Sequence, residues 1–146
     1  MRPDGIRCRD VTSQDSPGSA PPGAIRVAIC DDSLGFPVLV GSWLRAHERF
    51  EVVGTVDCGA RLKDLVAAER PDVVLLDLVL PDVPDPPELV RHLRATHPPV
   101  RVVLMSSMVE DELAREAQAA KVEAFMNKSA TADVLYATVL RVAEAA

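Results

Sequence analysis

Aromatic side chains are nearly missing from this chain, with one Trp, one Tyr and three Phe among 146 residues. Any core must therefore be built from the aliphatic residues that dominate a 48% hydrophobic composition, as suits a parallel sheet covered by helices on both faces. Cysteine is scarce too: Cys8, Cys30 and Cys58 form neither an even disulfide set nor a metal-ligand spacing, which points to a reducing cytoplasm. Cys30 lies late in an apolar run and reads as a small buried hydrophobe. No segment approaches the roughly 18 continuous apolar residues of a membrane span, and the arginine-bearing N-terminus lacks the apolar stretch of a secretory signal. Positive charge is also in deficit. The formal net charge of −6 falls within residues 25–146, because Arg2, Arg7 and Arg9 balance Asp4, Asp10 and Asp15. Without a basic footprint for nucleic acid, any link to DNA has to run through a partner or another domain.

Hydrophobic periodicity is missing from residues 1–24, which end in Ser16-Pro17-Gly18-Ser19-Ala20-Pro21-Pro22-Gly23 and read as a disordered N-terminal extension. From Ile25 short apolar runs alternate with helical stretches, so 25–146 is expected to form one domain. Strands are predicted at about 25–30, 51–56, 72–77, 100–105 and 122–126, and helices at about 36–49, 60–70, 86–97, 109–120 and 131–145. Asp85, Pro86 and Glu88 place a cap, a first-position proline and a capping-box acid in order, and Pro98-Pro99 stops that helix. Ser107 and Glu110 read as a second box, Thr131 as the last cap, and Glu110-Asp111-Glu112 as acids favoured by a helix dipole. Phe36, Val40, Trp43, Leu44 and His47 recur at helical spacing and predict a buried face. Five β-α repeats with short links imply a doubly wound parallel sheet, whose ligands bind beyond the carboxyl ends of the strands.

Chemistry collects at those strand ends. Asp31 and Asp32 follow the first strand, Asp77 closes the third, Ser106 follows the fourth and Lys128 the fifth, so all five are expected on one rim. Two like charges about 4 Å apart repel by about 4 kcal/mol at an effective dielectric of about 20, so an acid trio there implies a divalent cation, a shared proton or a reaction. Hard oxygen donors suit magnesium. A carboxylate beside it can attack phosphorus, with an ammonium and a hydroxyl to receive the phosphoryl oxygens. Taken singly, Asp31 and Asp32 suit helix caps and Lys128 a solvated turn; together at matching strand ends they make a site. His47, His92 and His97 lack ligand-like spacing and read as solvated or partly packed.

The segments IRVAICDD, DVVLLDLVLPD, VRVVLMSS and EAFMNKS resemble the receiver domain of bacterial two-component response regulators, over about residues 25–145. The resemblance implies a flavodoxin-like receiver fold, five parallel strands in the order 2-1-3-4-5. Val52-Val53-Gly54 and the spacing from Asp77 to Pro81 look most similar to receivers that precede a helix-turn-helix output domain. It further implies that Asp77 accepts phosphate from a sensor histidine kinase. Mg2+ would be held by Asp32, Asp77 and the Val79 backbone carbonyl, with Asp31 acting through water. Lys128 would pair with the phosphoryl oxygens, Ser106 would move toward them, and Phe125 would be the switch aromatic. Val79 and Met108 would flank the phosphoryl group. Such a protein is a cytoplasmic switch rather than a turnover enzyme, with slow self-dephosphorylation. Its face of fourth helix, fifth strand and fifth helix would change partners or form a homodimer. No membrane contact is implied.

This chain departs from the family pattern in places. The loop Pro81-Asp82-Val83-Pro84-Asp85-Pro86-Pro87 replaces a glycine-containing turn and should be stiff. Gly35, Phe36 and Pro37 stand where a polar helix entry is common, and Lys121-Val122 where Gly-Ala is usual. A receiver working as a phosphorylation-independent docking module is one alternative. An aspartyl phosphatase of the haloacid dehalogenase type is another, but it needs an acid two residues after its nucleophile, where Val79 stands.

Overall fold

Unbroken aliphatic runs become the inner strands of a sheet, and alternating ones its edges. The computed structural model describes residues 23–145. Its elements are β1 (Ile25–Cys30), α1 (Phe36–Arg45), β2 (Phe50–Val56), α2 (Gly59–Glu69), β3 (Val73–Asp77), α3 (Pro86–Thr96), β4 (Arg101–Ser106), α4 (Glu110–Ala120), β5 (Ala124–Asn127) and α5 (Ala132–Glu144). The five strands are parallel in the order β2-β1-β3-β4-β5, the expected arrangement. Central β3 is buried at every residue, whereas β2 and β5 at the edges alternate between buried and half-buried positions. One extra residue in β2 shifts the β1 register between Val27 and Ala28. Gly54 in that strand lets α2 approach, since a Cβ there would lie 2.7 Å from Leu65 Cδ1.

Each sheet face carries its own core. Leu62, Val66, Leu89, Leu93 and Leu113 from α2, α3 and α4 cover one side. Val40, Leu44, Leu135, Val139 and Val142 from α1 and α5 cover the other. The expectation for residues 1–24 falls, up to residue 22, outside the described residues. Cys30 is free and buried as expected, whereas Cys58 is disulfide-bonded, a bond that the odd cysteine count did not lead one to expect. Among the described residues no helix is long and apolar enough to cross a membrane.

Several boundaries follow local chemistry. Asp85 caps α3 through Glu88 N at 3.4 Å and Thr131 caps α5 through Val134 N at 3.4 Å. Elsewhere tertiary contacts override local signals. Helix α1 stops at Arg45 rather than 49, because a tight turn joins Leu44 O to His47 N and His47 O to Phe50 N. The His47 ring then packs on Phe50 and Tyr136, with centroids 4.8 and 4.7 Å away. The Ser107 box does not form: Val109 holds the cap position of α4 without a side-chain bond, and Ser107 is exposed. Strand β5 starts two residues late, since Val122 N closes the end of α4 on Ala117 O. Lys121 there has φ +58°, a left-handed conformation that costs a non-glycine residue about 1 kcal/mol and explains why glycine is usual at this place. His97 is buried, not solvated, and its Nε2–H donates to Pro71 O at 3.0 Å.

Candidate acidic site at the strand ends

Parallel register puts the acids together. Cys30 of β1 pairs with Leu76 of β3, so Asp31 and Asp77 emerge side by side from adjacent strands. Asp31, Asp32 and Asp77 each offer a carboxylate oxygen within 4.8 Å of the others. Asp31 and Asp77 are buried and Asp32 is exposed at the mouth. Lys128 leaves β5, its backbone N–H donating to Ser106 O at 2.9 Å, and its ammonium reaches Asp31 Oδ2 at 2.7 Å and Asp77 Oδ2 at 3.3 Å. Thus three of the predicted strand ends meet at one point.

The acids are held in fixed orientations. Asp31 Oδ1 accepts from Ser33 N at 2.7 Å and Ser33 Oγ at 2.6 Å. Asp77 Oδ1 accepts from Val79 N at 3.2 Å. Burial, with a contribution from Asp31, pushes the Asp77 carboxyl up to about 6, although the Val79 N–H and the Lys128 charge pull it down. Burial alone would lower the Lys128 ammonium, but its contact with Asp31 and the charges of Asp77 and Asp31 leave it raised above the ordinary lysine value. Phe36 supports the ammonium from the side, its ring centroid 5.2 Å from Nζ.

Of the other expected residues, Ser106 is buried at the end of β4, where its Oγ accepts from Met108 N at 3.1 Å. Met108 is half-buried, and Val79 is 65% exposed beyond Asp77. Phe125 is not in the acid cluster; it lies half-buried against the core under α2, α3 and α4. Three contributors were not singled out from sequence as site residues. Ser33 carries a readable signal, an Asp-x-Ser pattern that favours a side-chain turn. Phe36 stands out in sequence as part of a buried helix face and as an apolar residue at the helix entry, neither of which points to the ammonium. Asn127 carries the same kind of signal toward Ser129, whose N and Oγ donate to its Oδ1, but nothing local announces that its Nδ2 donates to Met108 O at 3.0 Å and ties the Ser106 and Lys128 loops together.

The donor set suits a hard divalent cation. Three carboxylates and one ammonium leave two negative charges at one point. Asp31 Oδ2 is buried and faces the Lys128 ammonium at 2.7 Å.

Comparison with known proteins gives a consistent picture. Residues 27–140 match the family model described as the response regulator receiver domain. A protein-glutamate methylesterase/protein-glutamine glutaminase from Nocardioides is 40% identical over 86 residues, 59% of this chain and 23% of that protein. Response regulator protein VraR from Staphylococcus epidermidis is 30% identical over 112 residues, 75% of this chain and 52% of that protein. The chain therefore spans about a quarter and about half of their lengths. Among solved structures, the signal receiver domain of NarL from Mycobacterium tuberculosis superposes with a TM-score of 0.78 at 30% identity, covering 86% of this chain and all of that one.

Proposed function

The chain belongs to the response regulator receiver-domain family, and we propose on that premise that it is a phosphorylation switch with Asp77 as phosphoacceptor. The observation that carries this reading is the convergence of Asp31, Asp32 and Asp77 on one ammonium, that of Lys128. An Asp77 carboxylate oxygen attacks the phosphorus of a phosphohistidine on a sensor kinase. The P–N bond breaks with its electron pair going to the ring nitrogen, the imidazole leaves neutral because its other nitrogen already carries a proton, and an acyl phosphate remains. Asp31, Asp32, Asp77 and the Val79 carbonyl are the residues that would hold magnesium, which when bound neutralises charge on the transferring phosphoryl group. Lys128 is placed to shift from the carboxylates to the new phosphoryl oxygens, and Ser106 to give them its hydroxyl proton. Movement of Ser106 releases Met108 N, and Asn127 links that loop to β5, where Phe125 packs. The face of α4, β5 and α5 then changes its affinity for a partner or a second copy.

Leu34 and Val38, 76% and 70% exposed around the start of α1, offer the kinase an apolar landing. In this reading the domain acts in the cytoplasm, contacts no DNA itself and turns over no substrate. Incubation with a small phosphodonor and Mg2+ should add one phosphoryl group, lost on treatment with hydroxylamine. A mass unchanged by the donor would leave the domain a phosphorylation-independent docking module.

The modified state should hydrolyse slowly, because neither Val79 nor Met108 can orient a water molecule. A side chain at position 79 that binds the attacking water through one hydrogen bond of about 1 kcal/mol would speed loss roughly fivefold. Acyl-phosphate decay in Val79→Asn tests this directly; an unchanged or slower rate would overturn the claim that Val79 is what makes hydrolysis slow.

A further inference from the structure

Resting on the reading that the acids hold magnesium, we propose that Asp82 is a positioning residue that clamps the β3–α3 loop to α2 and so sets the Val79 backbone for the metal. Asp82 uses both carboxylate oxygens across 22 and 23 positions of sequence: Gly59 N donates to Oδ1 at 2.9 Å and Ala60 N to Oδ2 at 3.1 Å. Helix α2 has no side-chain cap of its own, since Cys58 at the cap position makes none. One loop thus supplies the acceptors that another element's first amides need.

Val79 lies between fixed points. Before it, Leu78 is buried and its N–H donates to Met105 O at 2.9 Å. After it, Leu80 is buried and bridges Val83, whose N–H donates to Leu80 O at 3.1 Å. Asp82 stands inside that last turn, so its grip on α2 fixes the far side of the segment that bears the carbonyl. The contact is also tight: a Cβ on Gly59 would lie 2.5 Å from Val83 Cγ2, and valine is stiff at χ1. Gly59, Ala60, Asp82 and Val83 also line a cavity of about 300 Å³ with Lys63 and Glu88, so the clamp is bordered by open space rather than by packed core.

Two variants attack the clamp differently. Asp82→Ala removes the acceptors and a charge, while Gly59→Ala keeps the charge and pushes Val83 away. Asp85→Ala removes a carboxylate and a helix cap from the same loop without touching α2, and serves as the control. Calorimetric titration with MgCl2, alongside thermal melts, should show roughly tenfold weaker Mg2+ binding for both clamp variants, the scale on which outer-shell partners act on metal sites. Asp85→Ala should stay within about twofold of the wild type on that same scale. Phosphorylation by the small donor should recover to the wild-type rate at saturating Mg2+, which a damaged phosphoacceptor would not do. Unchanged affinity in both clamp variants overturns the proposal and leaves the metal site standing. Weakening in Asp82→Ala but not Gly59→Ala also overturns it, since charge alone would then be responsible. A wild-type protein that binds no Mg2+ overturns the metal site, and the clamp's role with it.

Discussion

Replacing Asp77 by Asn is expected to abolish the hydroxylamine-labile modification and, in the metal-free protein, to raise stability at neutral pH by about 2 kcal/mol. Both effects come from one buried carboxyl. Asp77 is 6% exposed, and burial together with the neighbouring Asp31 raises it from 3.8 to about 6. The folded state therefore holds the Asp77 proton more tightly than the unfolded chain does. Stability present below pH 4 is lost as pH rises to about 6, and two pK units correspond to about 3 kcal/mol at most. Solvent at the mouth of the site reduces that figure. Asn keeps the shape without the charge, and Lys128 keeps Asp31 as its partner at 2.7 Å. Urea unfolding in chelator should find the two proteins equally stable near pH 4, with the variant ahead at pH 7. An advantage of the same size at both values would contradict a charge-based origin.

Lys128→Met should have the opposite effect on stability. The Asp31 side chain is completely buried and its Oδ2 faces the Lys128 ammonium at 2.7 Å, so that ammonium is the main compensation for its charge. Removing one member of a buried pair costs about 3 to 5 kcal/mol, and the partial exposure of Lys128 places the loss near 3. Methionine keeps a stem of similar length and gives up only the ammonium, including its contact with the Phe36 ring, so the charge is isolated as the cause. The phosphorylation rate should fall by about a hundredfold, the usual result of removing one preorganised donor from a developing anion. The double variant with Asp31→Asn should regain most of the stability and none of the rate. Additive losses of stability would show that the two side chains are not coupled.

The strands and the rim at their ends were legible because each depends on short-range pattern, whereas the order of the strands came from the resemblance to the receiver family. β3 reads as continuous Val and Leu because both faces are covered, and Asp77 reads as its end because the run stops there. Asp31, Ser106 and Lys128 follow from the same rule at other strands. What escaped depends on contacts made across the chain. Ser107 has the spacing of a cap box, yet the turn is governed by Ser106 Oγ and Met108 N. His97 looks like a solvated helix end, yet the chain between β2 and β3 brings Pro71 O to its ring. Asp82 reads as a loop acid among prolines, and only the folded chain shows α2 amides resting on it. Phe36 is an apolar helix residue locally and Asn127 a local turn residue bonded to Ser129, and their contacts with Lys128 and Met108 exist only where a distant loop returns.

The aromatic residues are unevenly shared between the two cores. Phe36, Trp43, Phe50 and Tyr136 all belong to the α1 and α5 side, where the Tyr136 hydroxyl donates to Trp43 O at 2.6 Å. Phe125 alone belongs to the opposite side. Intrinsic fluorescence, which comes from a single indole, therefore monitors the α1 and α5 layer and is blind to rearrangement near Phe125. A fluorine-labelled phenylalanine, read by NMR, gives a resonance from that second layer, separable from those of Phe36 and Phe50 by single-site substitution.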